Sequence, residues 1–136
     1  MNPLRSLRTL LAAMAGLAAG LAPAAPPNTP VDLLAAYSQQ AGVPPEPARG
    51  QQFFNTGHGR EWRCASCHGM TPNQPGRHAA TGKAIGPLAP AFNRERFTDP
   101  AKADKWFRRN CNDVAGRECT PAEKADVLSW LMTIKP

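Results

Sequence analysis

The run Cys64-Ala65-Ser66-Cys67-His68 limits this chain more than any other feature. It reads C-x-x-C-H, the attachment pattern of a c-type haem. Two intervening residues let both thiols reach vinyl groups on one edge of the porphyrin as thioethers. The adjacent histidine then comes under the iron as its axial ligand. Half of a zinc site would need a second C-x-x-C or H-x-H, and the sequence has none. A thioredoxin-like redox pair would expect a βαβ pattern around it, which is also missing. The run therefore predicts one haem c with its iron, held by Cys64, Cys67 and His68.

The N-terminus reads as an export signal. Arg5 and Arg8 make a basic start, Leu10 to Leu21 is an apolar run, and Ala22-Pro23-Ala24 offers an A-x-A cleavage site. The apolar stretch of about 12 residues falls well short of the roughly 20 that span a bilayer. Residues 1–24 are read as a secretory signal peptide, 25–45 as a lead-in with a short helix, and 46–136 as a monohaem domain. Export to a bacterial periplasm also fits haem attachment, which occurs outside the cytoplasm. The formal charge of +6 falls to about +4 once Arg5 and Arg8 leave. No interleaving of basic and aromatic residues points to nucleic acid. A mildly basic face suits an acidic redox partner, or solubility alone. Monomer is the default.

Cys111 and Cys119 remain once the haem has taken the other pair. An oxidising compartment favours a disulfide between them, with two free thiols as the alternative. The periodicity predicts helices over 31–41, with Leu33, Leu34 and Tyr37 on one face, and over 47–55, with Gly50 and Phe54 four apart. Residues 69–93 read as a loop wrapped around the haem. Asp99 and Pro100 start a third helix that carries Ala103, Trp106 and Phe107 and is expected to end near Asn110. Thr120, Pro121 and Glu123 form a capping box for the last helix, where Val127, Leu128, Leu131 and Ile134 recur at helical spacing. Trp130 and Leu131 are expected to pack on Phe53 or Phe54. The expected fold is all-α, and the order of helix, C-x-x-C-H, loop and C-terminal helix resembles a class I cytochrome c: short helices around one covalently bound haem.

A carrier of that class would place a methionine on the loop before its last helix, and this chain has none there. Met14 leaves with the signal peptide, Met70 is too close to His68 to cross the ring, and Met132 lies in the last helix, where packing is its expected role. The remaining candidates for the sixth position are His58, His78, Lys83, Asn110 and Asn112. Asn110 stands out, since it follows the Trp106 helix and precedes Cys111. A C-terminal helix cap is its alternative role.

Trp106-Phe107-Arg108-Arg109-Asn110-Cys111-Asn112, followed by Gly116-Arg117-Glu118-Cys119-Thr120-Pro121, is similar to the SHP (sphaeroides haem protein) type of high-spin cytochrome c. Thr81-Gly82-Lys83, the segment from Ala84 to Pro90, Arg96-Phe97-Thr98-Asp99 and Ala48-Arg49-Gly50 match it too. The likeness runs from about Val31 to the C-terminus and departs most between Thr56 and Trp62. It implies that Asn110 is the sixth iron ligand, that Cys111 and Cys119 are joined, and that His58 and His78 are not ligands. A neutral, hard amide oxygen suits ferric iron and holds ferrous iron poorly. The family's behaviour implies that the asparagine leaves on reduction and opens a position for O2, NO or CO, where its NH2 can donate to the bound molecule. The resemblance also implies an electron partner that is another c-type cytochrome, with a membrane cytochrome b upstream. An enzyme that oxidises NO or reduces peroxide is a second reading. Peroxide work would want a distal acid or base, for which Arg109 is the nearby residue. A plain electron carrier is the third.

Overall fold

The computed structural model describes residues 29–136; the expected signal peptide at 1–24 lies outside them. Among the described residues there are five helices: α1 (Pro30–Ala41), α2 (Pro47–Asn55), α3 (Cys64–His68), α4 (Pro100–Ala115) and α5 (Pro121–Thr133). Between α3 and α4, two short strands, β1 (Gly76–Arg77) and β2 (Ala84–Ile85), pair antiparallel, with Gly76 opposite Ile85.

The helix starts follow from their first residues. Thr29, Asp99 and Thr120 each cap a helix through a side-chain oxygen, and a proline stands in the first turn of each. Thr120 and Glu123 close the expected capping box: the Thr120 N–H donates to Glu123 Oε2 at 2.8 Å, and the Glu123 N–H donates to Thr120 Oγ1 at 3.2 Å.

α5 is the central element. Every residue from Ala125 to Leu131 is buried, so it has no solvent face over that stretch. One cluster joins Leu33 and Tyr37 of α1 with Ala103 of α4 and Leu128 of α5. A second joins Phe54 of α2 with Ala65 of α3 and Val127, Trp130 and Leu131 of α5. The Phe54 and Trp130 rings lie 5.0 Å apart, as the sequence leads one to expect. At the crossing of α2 and α5, a Cβ on Gly50 would run into the Asp126 carbonyl, so the two backbones touch directly. Buried Asp126 ties the same crossing from the other side: it accepts the Glu46 N–H at 2.6 Å and the Arg49 guanidinium through Nε (2.8 Å) and Nη2 (2.9 Å).

This architecture corrects the class I cytochrome c expectation of short helices gathered around a haem. The described residues form a five-helix bundle whose two clusters are made by helices packing on α5. Two local readings change with it. α4 does not stop near Asn110 but continues to Ala115, where Gly116 turns left-handed at φ 69°. The buried stripe Ala103, Cys111, Val114 carries the helix through Arg108-Arg109-Asn110, and packing overrides the turn-like composition. The 69–93 segment is also not all loop, since it contains the β1–β2 ribbon.

Candidate haem site

α3 is a single turn, entered from Arg63, whose N–H donates to Ser66 Oγ at 3.1 Å. Residues three and four apart share a helix face, so Cys64, Cys67 and His68 stand together and Ala65 turns into the core. Burial, helped by the positive charge of Arg96, pushes the His68 imidazole down to about 4. It is therefore neutral near pH 7, with a lone pair available to a metal. Burial also pushes the Cys64 thiol up to about 12, the reverse of the low pKa that a redox-active C-x-x-C pair requires. Among the described residues no group of three or more His, Cys, Asp and Glu side chains could hold a metal ion, so Cys64, Cys67 and His68 do not form a zinc cage.

The surroundings suit a porphyrin. Cys64, Leu88, Phe97 and Phe107 come from four separate stretches of chain and pack against the second cluster, yet each is only partly covered. The ribbon lies against α3: a Cβ on Gly76 would strike the Cys67 carbonyl, and the Ala79 N–H donates to Cys67 Sγ at 3.2 Å. On the other side of the ribbon, the Leu88 and Ala89 N–H groups donate to the carbonyl of buried Pro72, four residues past His68, at 3.1 and 3.0 Å. Two thiols, a neutral imidazole and a partly covered aromatic wall are the donor set and lining that a covalently attached haem needs.

Asn110 stands on α4, one turn beyond Phe107 and directly before buried Cys111. It is half-buried and inside the helix, so the alternative role as a terminal cap does not apply. Cys111 and Cys119 form a disulfide with Cα atoms 5.6 Å apart, which joins α4 to the start of α5. The Asn112 amide is engaged, donating to the Arg108 carbonyl at 2.8 Å, while among the described residues no hydrogen bond engages the Asn110 amide.

The other candidates are occupied or remote. His58 stacks on Phe53 at 4.1 Å and places Nε2 2.7 Å from the Phe53 carbonyl oxygen. His78 Nδ1 accepts the Thr81 N–H at 3.3 Å, and Lys83 and Met70 are exposed. Met132 packs against the first cluster, as expected. Arg109 lies with its guanidinium 5.7 Å from the Trp106 ring centre. Two features escape a reading of the sequence. Arg96 bonds the Gly86 and Pro87 carbonyls, and Phe97 holds a left-handed backbone (φ 61°) while touching both clusters. Neither residue type signals such a role, because both depend on contacts distant in the chain.

Residues 40–131 match a protein family described as a domain of unknown function, DUF1924. The cytochrome c-type protein SHP of Cereibacter sphaeroides is 45% identical over 108 residues, covering 76% of this chain and 83% of SHP. The chain belongs to the SHP family of c-type cytochromes. Like its relatives it carries a single covalently bound haem with its iron. The structure of oxidised SHP, described as an oxygen-binding cytochrome c, superposes with a TM-score of 0.75 at 42% identity, over 80% of this chain and all of that one. Cytochrome c'' of Methylophilus methylotrophus is 46% identical over 88 residues, 62% of this chain and 61% of its own. Its oxidised crystal structure matches with a TM-score of 0.70 at 38% identity, over 79% of this chain and 95% of that one. Its solution structure, described in terms of haem-ligand detachment, matches equally well at 0.70 and 35% identity, over 79% and 94%. The five-helix arrangement is thus shared with SHP and cytochrome c'', which is what overturns the class I expectation.

Proposed function

We propose that this SHP-family protein is a periplasmic monohaem cytochrome that accepts an electron and, once reduced, releases an asparagine to bind a small diatomic ligand such as O2, NO or CO. Cys64 and Cys67 would hold the haem through thioethers, His68 would be its permanent iron ligand, and Asn110 would be the labile one. Bound haem supplies an iron that exchanges one electron and takes a ligand at its open position. The chain's own residues decide which position opens. His68 is neutral and partly buried near Phe54, whose ring centre is 6.0 Å away, so it is kept ready to ligate. The amide oxygen of Asn110 is a weak, hard donor, better suited to ferric than to ferrous iron. Its NH2 is then available to donate to the incoming ligand.

The observation that carries this reading is that Asn110 lies within an unbroken helix, one turn beyond Phe107 of the aromatic wall, with no hydrogen bond engaging its amide among the described residues. The relatives support it: SHP is described as oxygen-binding, and cytochrome c'' in terms of haem-ligand detachment. Arg109 is turned to Trp106, which gives no support to a distal acid for peroxide chemistry. The export reading of residues 1–24, the domain at 46–136 behind a lead-in at 25–45, a monomeric state and a c-type cytochrome as electron partner with a membrane cytochrome b upstream belong to the same proposal.

Absorption spectra of the ferric protein and of Asn110→Ala test the assignment. Loss of the amide is expected to shift the ferric bands while the haem stays attached. Identical ferric spectra would remove Asn110 from the iron.

A further inference from the structure

Arg96 carries a charge that the proposed electron and ligand chemistry does not yet use. It is half-buried. Its Nε donates to the Pro87 carbonyl at 3.0 Å and its Nη2 to the Gly86 carbonyl at 2.9 Å. Asn93 Nδ2 adds a third bond, to Pro87, at 3.3 Å. The same turn is tied through Leu88 and Ala89 to Pro72, in the segment that leaves His68. Arg96 therefore grips the far side of a turn that is bonded to the segment leaving His68.

No carboxylate of the described residues lies within ion-pair distance of it, and the opposing charge that reaches it is that of its exposed neighbour Glu95. The ion pairs among the described residues are Arg49–Asp126, Arg117–Glu123 and Lys124–Asp104. Carbonyl oxygens satisfy the guanidinium N–H groups without removing the charge, and arginine does not lose its proton in a protein. The charge adjoins the haem wall: Arg96 directly precedes Phe97, and the turn it bonds runs straight into Leu88, both of which pack with Cys64 against the second cluster. A half-buried charge is screened far less than a surface one.

We infer that Arg96 is a positioning residue of the haem: it pins the Gly86-Pro87 turn that leads into the haem wall and holds there a fixed positive charge that favours the ferrous over the ferric state. The physical reason is Coulombic. Oxidation adds one positive charge to the site, and Arg96 opposes that addition. The inference rests on the reading of His68 as axial ligand. Within that reading Arg96 sets how readily the reduced, ligand-accepting state is reached.

Redox titration of the holoprotein, followed by absorption, tests this. At the wild-type midpoint potential, Arg96→Gln is expected to lower the ferrous-to-ferric ratio about tenfold. Arg96→Lys keeps the charge, loses the fork, and is expected to recover most of that ratio. Asn93→Asp keeps the oxygen that accepts the Glu95 N–H at 3.2 Å while setting a carboxylate beside Arg96, so it should also lower the ratio. A wild-type ratio in Arg96→Gln, or a lysine variant as low as the glutamine one, would overturn the inference. Should Arg96→Gln yield no haem protein, an unchanged ratio in Asn93→Asp overturns it instead. His68→Ala separates the two ideas: unaltered spectra in that variant would sink the histidine ligation, whereas unaltered potentials in the others would sink only the role of Arg96.

Discussion

At Gly50 a single hydrogen separates α2 from the backbone of α5. A methyl group there would meet the Asp126 carbonyl, and backbone cannot give way as a flexible side-chain end can. Gly50→Ala is expected to destabilise the fold by about 3 kcal/mol, the upper part of the range for overpacked cores, as denaturant unfolding would measure. A loss under 1 kcal/mol would mean that the helices slide apart cheaply. Asp126 secures the same crossing with three hydrogen bonds, on a residue only 5% exposed. Asp126→Ala would leave the Glu46 N–H and the Arg49 fork without their acceptor. Because Arg49 is largely exposed and can turn to water, a loss of about 1–2 kcal/mol is expected on thermal or urea unfolding, and near-wild-type stability would contradict the role given to it. Gly50 and Phe54 could be read from the sequence as a face. Asp126 could not, because a lone acid within an apolar run gives no sign of its partners eighty residues away.

The helices divide into those that local chemistry defines and those that packing extends. α5 starts where Thr120 and Glu123 place it, and the Arg117 guanidinium, bonded to both Glu123 oxygens at 2.8 and 2.6 Å, holds the glutamate carboxyl below its ordinary range. A depressed folded-state pKa stabilises the fold above the unfolded value and loses that contribution as pH falls through the folded one. Stability should therefore drop as pH falls below the ordinary glutamate value of 4.5, and Glu123→Gln, which keeps the capping box but loses the ion pair, should flatten that part of the profile and cost about 0.5 kcal/mol at pH 7. An unchanged profile would assign the acid sensitivity elsewhere. α4 shows the opposite case. Its cap at Asp99 was legible, but its end was not, because Asn110, Asn112 and Asp113 read as turn residues until Cys111 and Val114 are seen buried. The disulfide fixes that extension across a sequence separation of 8. Cys111→Ser with Cys119→Ser should cost about 2–3 kcal/mol, as calorimetry would record. The β1–β2 ribbon was missed for a similar reason: two residues a side give no period, and its place depends on contact with α3.

Over the whole molecule, two apolar clusters share α5, and Phe97 and Phe107 touch both. Packing of helix on helix, rather than the haem alone, makes the core, which is why a sequence read around the cofactor led to the wrong fold class. The haem itself was legible, because C-x-x-C-H states its chemistry locally on one turn. The far side of the haem was legible only as a set of candidates, since a ligand carried on α4 depends on how that helix is placed. The central claim is that reduction opens a position held by Asn110, and carbon monoxide tests it most directly. Titration of the reduced protein with CO, followed by absorption beside Asn110→Met, should give a high-spin reduced wild type that takes up CO and a low-spin methionine variant that refuses it. A low-spin reduced wild type that ignores CO, unchanged by the substitution, would contradict the account.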